Sequence, residues 1–485
     1  MSWLLPARDE SASFLELPSR ALRFLRAVLP LFPALALAAP ADLIPARWPS
    51  SDTASLSILA ASPVNCLLVP ESHWSGAFTK AAQARKITVL GLIAPGTPAL
   101  PRARRALDLG FDGVVLEGHF PDAESRSIQQ ATQSSSRLFV ELGLRGRIPL
   151  GDDAPPIIGT FQGVWAGINP HEEGEAHAAP SGAPWIDTNA GFLRFVRAAT
   201  SRPFWLSATP PPNSVVSLPR YLQMIADSAM VGARWVLSFE TDFFSRLTQA
   251  EARATRDFKR INQLLAFFEQ YRPLQSLPPY GQLAVVADVS SGALLSGSVL
   301  DMITVKHTPV RPVPFKSVTP QTLGQTKMAV NVDPPALDER QQKVLKDFTR
   351  AGGTVLTAPP GWRMPKPRPD QVSTDAEEVK KLDQIWKEVN AMTGRRNLGV
   401  RLFNVSSMLS NMLGEPSGAR VVIYLVNYAD FPVDSIAVHL LGNFAQVTAY
   451  WPERSAKSLA PYENDDGVGV DLDILESAAI LIAEK

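Results

Sequence analysis

Cysteine is nearly absent: Cys66 is the only one in 485 residues. A single thiol excludes an intramolecular disulfide, and its place inside the apolar stretch "NCLLVP" marks it as a core residue. Charge of one sign is lacking as well. Forty-seven basic residues cancel forty-seven acidic ones, so the charge balance calls for no nucleic-acid or anionic-membrane partner. No glycine-rich phosphate loop follows the first apolar strand, which argues against a dinucleotide-binding domain, and no cofactor is expected. The H-E-x-x-H pattern of a zinc-binding helix is missing. The nearest cluster, "HEEGEAH" from His171 to His177, has the wrong spacing and is flanked by Pro170 and "AAPSGAP", so it reads as a loop and no metal is expected. The apolar run from Ala27 to Ala38 is too short to span a bilayer and contains Pro30 and Pro33.

That same run has another meaning. Arg20, Arg23 and Arg26 precede it, and the small-residue sites Ala36-Leu37-Ala38 and Ala39-Pro40-Ala41 follow it, just before Asp42. This is the order of a secretory signal. Residues 1–41 are expected to be a signal peptide, the mature chain to start near Asp42, and the protein to be periplasmic or secreted, with no membrane association after cleavage.

Proline is plentiful, with 42 residues, which suits many turns between short elements. From 53 to 275 a short apolar strand, a polar turn and a helical pattern recur. The candidate strands are "NCLLVP" (65–70), "ITVLGLI" (87–93), "DGVVLEG" (112–118), "RLFVELG" (137–143), "PPIIGTF" (155–161), "PWIDTN" (184–189), "PFWLSA" (203–208) and "RWVLSFE" (234–240). Near-continuous apolar strands alternating with helices mean a parallel sheet covered on both faces, and eight such units predict a (β/α)8 TIM barrel. Beyond the prolines of "RPLQSLPPYG", residues 280–362 give strand, helix and strand, a small α/β flavodoxin-like domain. A linker and charged helix follow over 363–398. Residues 399–485 alternate short strands and turns without helical period, as in an antiparallel β-sandwich.

Barrel, small α/β domain and β-sandwich, in that order, resemble the layout of exported glycoside hydrolases. The similarity is closest to the β-galactosidases of glycoside hydrolase family 42, whose middle domain is like a class I glutamine amidotransferase. "QLAVVADVS…DERQQKVLKDFTRAGGTVLTAPP" looks like that domain, and "VVIYLVNY…PVDSIAVHL" like the terminal sandwich. No diagnostic family-42 signature is present, so the resemblance implies an unassigned glycosidase-like family. An amidotransferase needs a cysteine nucleophile paired with histidine, and no cysteine follows Cys66, so the middle domain is expected to be catalytically silent, with His307 a surface or packing residue. The resemblance makes this domain the expected interface of a homo-oligomer.

Active sites of such barrels lie at the carboxyl ends of the strands. Acids recur there: Glu71, Glu117, Glu141, Asp187 and Glu240. Glycoside hydrolysis needs two carboxyl groups, one protonated and one ionised. In the clan that includes family 42 the acid/base ends strand 4 and the nucleophile ends strand 7. By this strand count Glu141 holds the first position, with Val140 where the clan carries Asn. Glu240 follows strand 8, or strand 7 if "PWIDTN" is a loop. The α-galactosidase-like clan uses strands 4 and 6, which selects Glu141 and Asp187. Glu141 is thus the first catalytic candidate, with Glu240 or Asp187 as its partner. Indole faces stack on sugar rings while acids, amides and imidazoles meet hydroxyls. The candidate carbohydrate contacts are Trp74, Trp165, Trp205, His73, His119, Gln162, Asn189, Glu71 and Glu117. The expected function is an exported glycoside hydrolase acting on an oligo- or polysaccharide; the alternative is a barrel that has lost catalysis and serves as a carbohydrate-binding or scaffold protein.

Overall fold

Alternation along the strands fixes which side chains fill the centre of the fold. In the computed structural model, which describes residues 39–165, 168–169, 177–178, 188–210, 214–287, 300, 308–358, 376–405 and 407–485, eight parallel strands form one sheet in chain order. They are β1 (Pro45–Arg47), β2 (Cys66–Pro70), β3 (Thr88–Ile93), β4 (Gly113–Glu117), β5 (Leu138–Gly143), β6 (Ile157–Thr160), β7 (Phe204–Leu206) and β8 (Arg234–Trp235). The sheet closes on itself through a parallel bridge between Ala46 and Leu237, with Arg47 N–H donating to Leu237 O (2.8 Å) and Leu237 N–H to Pro45 O (3.0 Å). It is a TIM barrel.

Cys66, Leu68, Leu90, Leu92, Val115, Val140, Leu142, Trp205 and Val236 take alternate strand positions and pack on one another. Their neighbours Leu67, Val89, Val114, Phe139 and Phe204 instead join the helix residues Phe78, Ala103 and Ile128. The first set therefore fills the barrel and the second faces its helical ring. Glycine is required at Gly159 on β6, where the neighbouring strand comes close: a Cβ there would stand 2.1 Å from the Trp205 carbonyl oxygen. The ring is built from α1 (Gly76–Gln83), α2 (Ala99–Asp108), α3 (Asp122–Ser134), α4 (Ala190–Ala199), α5 (Leu218–Ala229), α6 (Thr241–Thr248) and α7 (Ala252–Gln270). None of the described helices is long and apolar enough to cross a membrane.

The strand count differs from the one expected. Pro45–Arg47 is the first strand, ahead of the expected barrel start at residue 53, so "NCLLVP" is second and every strand through "PPIIGTF" moves up by one. The sixth strand is Ile157–Thr160, which pairs directly with Phe204–Leu206, where "PWIDTN" was expected. Residues 184–187 of that segment lie outside the described ones, and Thr188 and Asn189 lead directly into α4.

The middle domain is a four-stranded parallel sheet of Leu283–Ala287, Val310–Pro314, Met328–Asn331 and Thr354–Thr357, in the order second, first, third, fourth. That is the flavodoxin-like order. Its helix Glu339–Arg350 ends at Gly352, which takes a left-handed φ of 95° as the Gly-Gly pair predicts. His307 lies outside the described residues. Two antiparallel sheets, of four and five strands, then form the β-sandwich.

Candidate active site

The inward-facing positions at the carboxyl ends of the strands define what the barrel mouth presents. Following the alternation upward from Val115, Trp205 and Val236 brings Glu117, Ser207 and Ser238 to the axis, and β1 contributes Arg47 beside them. Arg47 Nη2 pairs with Glu117 Oε1 and donates to Ser207 Oγ (3.2 Å), while its Nε donates to Ser238 Oγ (3.3 Å). Ser207 Oγ donates to the same Glu117 oxygen at 2.9 Å. Four strands, β1, β4, β7 and β8, are thus tied across the mouth by one guanidinium and one carboxylate, whose side chains are only 16% and 14% exposed. Both contacts fall on Oε1, so Oε2 is uncommitted among the described residues.

Glu240 follows β8 and leads into α6. It is buried. Its Oε2 accepts from Val216 N–H at 2.9 Å, and its own N–H donates to Tyr221 Oη at 3.2 Å. Burial pushes its pKa up, with the Val216 N–H opposing. In an eight-stranded barrel β4 and β8 stand on opposite sides, so the strand that Glu117 ends and the strand that Glu240 follows lie across the barrel from each other.

Glu141 is elsewhere. It shares its face of β5 with Phe139, which packs in the helical ring, while Val140 and Leu142 on either side fill the interior. Its Oε2 accepts from Ser125 Oγ of α3 at 2.9 Å. Burial raises its pKa, opposed by that hydrogen bond and reinforced by Asp122. The expectation that Glu141 lies at the mouth is therefore corrected. It rested on a count that omitted β1; with β1 in place the end of β4 carries Glu117, and the end of β7, where the clan has its nucleophile, carries Ser207. Asp187 lies outside the described residues.

The other expected contacts scatter. Glu71 forms ion pairs with Arg102 (3.2 Å) and Arg105 (3.5 Å) of α2. Trp74 donates from Nε1 to Val69 O (2.8 Å) and packs on Phe111, in the outer layer. Trp165 is buried edge-on against Trp235 (5.1 Å) and Tyr221 (5.5 Å), and Trp205 fills the barrel. These three are packing residues and not stacking platforms. Gln162 and Asn189 serve a buried network around Arg145, whose N–H donates to Gln162 Oε1 (2.8 Å) and whose Nη2 donates to Asn189 Oδ1 (2.5 Å). His73 ends the turn after β2, and His119 is exposed two residues beyond Glu117. Sequence reasoning missed Arg47, Ser207 and Ser238. The two serines were detectable as polar residues at inward parity in "PFWLSA" and "RWVLSFE"; Arg47 required knowing that Pro45–Arg47 is a strand. Among the described residues no group of three or more His, Cys, Asp or Glu side chains is placed to hold a metal ion.

No protein-family model matches the chain, and no curated protein matches its sequence. Solved structures do match. An α-L-fucosidase, isoenzyme 2 from Paenibacillus thiaminolyticus, superposes with a TM-score of 0.58 at 10% identity, over 91% of this chain and 99% of that one. A GH42 β-galactosidase gives 0.51 at 9% identity, over 92% and 98%. These structural neighbours are glycoside hydrolases, and the likeness establishes a glycosidase-like TIM barrel with a trailing β-sandwich.

Proposed function

We propose that the protein is an exported glycoside hydrolase whose chemistry takes place at the carboxyl-terminal mouth of the barrel, with Glu117 and Glu240 as the two carboxyl groups. The observation that carries this reading is Glu117: an acid at the end of β4, directed at the axis, gripped on one oxygen by Arg47 and Ser207 and open on the other. The glycoside hydrolases that share the fold support it.

The two acids suit different roles. Glu240, whose pKa burial raises, is the proton donor: its proton passes to the glycosidic oxygen as the bond to the anomeric carbon breaks. The Glu117 carboxylate acts on the opposite side of the sugar. It either bonds to the anomeric carbon, for water to displace later, or takes a proton from the water that attacks. In both cases water's hydroxyl ends on the sugar; in the first, Glu240 takes the water's other proton, and in the second that proton is on Glu117 and returns to Glu240 through solvent. Arg47 positions Glu117 and balances its charge. No cysteine follows Cys66, so the middle domain has no nucleophile for amidotransferase chemistry.

The test is a panel of aryl-glycosides and plant or bacterial polysaccharides offered to the parent protein and to Glu117→Gln. Cleavage by the parent that is lost in the variant, with the fold intact, supports the reading. If the parent cleaves nothing but still binds oligosaccharide, a carbohydrate-binding role replaces it. Export rests on the arginine-flanked apolar run before Asp42 and is decided separately by N-terminal sequencing of protein from its native host: a start near Asp42 supports it, and an intact Met1 on cytoplasmic protein defeats it.

A further inference from the structure

A cavity of about 640 Å³ lies where the barrel, the middle domain and the β-sandwich meet. Helices of a TIM barrel run antiparallel to its strands, so the end of α4 that lines this cavity is at the face opposite the mouth. Arg194 and Arg197 reach it from α4, and Arg311 reaches it from the middle-domain strand Val310–Pro314. No aspartate or glutamate is among the described residues that line it. Ser201, Gln275 and Asn411 add hydrogen-bonding groups.

Arg194 is anchored by an Nη2 bond to Ser410 O at 2.8 Å. Arg197 donates to the carbonyl of Arg202 at 3.2 Å, and Gly232, in a left-handed conformation, leaves room for its guanidinium: a Cβ there would stand 3.2 Å from Arg197 Nε. Neither Arg197 nor Arg311 has a carboxylate at ion-pair distance among the described residues. A guanidinium stays charged under all ordinary conditions, and burying that charge without a counter-charge is costly. Both side chains are half-buried, and burial lowers the pKa of each. Other arginines of the chain meet carboxylates, as with Arg234 and Glu269 at 2.6 Å and Arg220 and Asp430 at 2.8 Å.

We propose that this three-domain cavity is a binding site for a small organic oxyanion, a phosphate ester or a polycarboxylate, held by Arg197 and Arg311. The charge-assisted bonds of a guanidinium to phosphate or carboxylate oxygens supply the recognition, and the volume suits a small-molecule ligand. Because its walls come from all three domains, the bound anion also braces them against one another.

Isothermal titration of the full chain at low salt, with glucose 6-phosphate, citrate and inorganic phosphate as probes and glucose as the neutral control, tests the site. The expected result is saturable binding of glucose 6-phosphate or citrate, and none of glucose. The organic anion that binds identifies the ligand class; binding of inorganic phosphate alone would overturn the proposal of an organic ligand. Arg197→Gln and Arg311→Gln should each weaken binding by roughly tenfold or more. Ser201→Glu, at an exposed position on the rim, places a carboxylate among the arginines and should weaken it as much, which keeps the test decisive if an arginine variant does not fold. Absence of saturable binding by any of these anions, or affinity unchanged in every folded variant, overturns the proposal.

Discussion

Glu117 and Glu240 have the same outline: one carboxylate oxygen fixed by the protein and the other uncommitted among the described residues. Their surroundings differ. A guanidinium is bonded to Glu117, whereas Glu240 is bonded by a backbone N–H; burial raises its pKa, the Val216 N–H opposes, Asp242 adds to the rise and Arg246 opposes it. A proton donor works while it is protonated, so the rate should be highest below the folded pKa of Glu240 and fall as pH rises through it. Because burial moves that pKa upward from the ordinary glutamate value, the fall comes at higher pH than for a free side chain. Glu240→Gln should remove this limb from the pH profile of kcat/KM and lower turnover about 10²- to 10⁴-fold on substrates whose leaving group needs a proton. A dinitrophenyl glycoside, whose leaving group needs none, should recover most of the rate. Glu141→Gln is the control and should leave turnover near the parent's, since that carboxyl faces Ser125 outside the barrel. A pH limb that survives in Glu240→Gln would take the donor role away from it.

At the scale of elements, the interface between α5 and the β-sandwich is as specific as the mouth. Asp227 of α5 is fully buried; Tyr428 Oη donates to its Oδ1, and Asn189 donates to its Oδ2 from N–H (2.9 Å) and Nδ2 (3.0 Å). Tyr428→Phe leaves Asp227 without its hydroxyl donor and should cost about 1–3 kcal/mol in a denaturant melt. Burial raises the Asp227 pKa, with the Tyr428 and Asn189 donors opposing. The stability linked to a raised folded pKa is complete below the free-Asp value of about 3.9 and is lost as pH climbs through the folded one. Asp227→Asn cannot ionise, so its stability relative to the parent should improve from acid toward neutral pH; a constant difference would contradict this. The same scale shows how far the sequence could be read. Periodicity was enough for the barrel, the flavodoxin-like sheet and the sandwich, because each buries long apolar stretches. It failed at β1, where the strand is only three residues, Pro45, Ala46 and Arg47, begins on a proline and ends on a charge. Pairing to Leu68 and Leu237 on either side, a tertiary effect, makes them a strand. Omitting β1 shifted the strand numbers and moved attention from Glu117 to Glu141, although alternation along Phe139-Val140-Glu141-Leu142 already placed Glu141 with the outward set.

Across the whole molecule, the barrel and the β-sandwich share one core. In the strand Arg420–Asn427, Val421, Ile423 and Leu425 point into the sandwich, whereas Val422, Tyr424 and Val426 join the core formed by the barrel and its helices, together with Tyr428, Ala478 and Ile480. The strand is buried on both faces, an arrangement that antiparallel sheets usually avoid by leaving one face to solvent. Polar contacts fix the same interface: Arg194 Nη2 donates to Ser410 O, and Asn411 Nδ2 donates to Met230 O at 2.7 Å. Burying one large apolar side chain contributes about 1.5–3 kcal/mol. Losing half a dozen would therefore cost on the order of 10 kcal/mol, as much as the whole stability of a typical domain. A chain ending at 398 should accordingly aggregate or unfold without a cooperative transition, while in calorimetry of the full chain the barrel and sandwich should melt together. A truncated barrel that stays monomeric and melts cooperatively near the temperature of the full chain would show that the shared core is dispensable, and that the sandwich is an appended module and not part of the barrel's own fold.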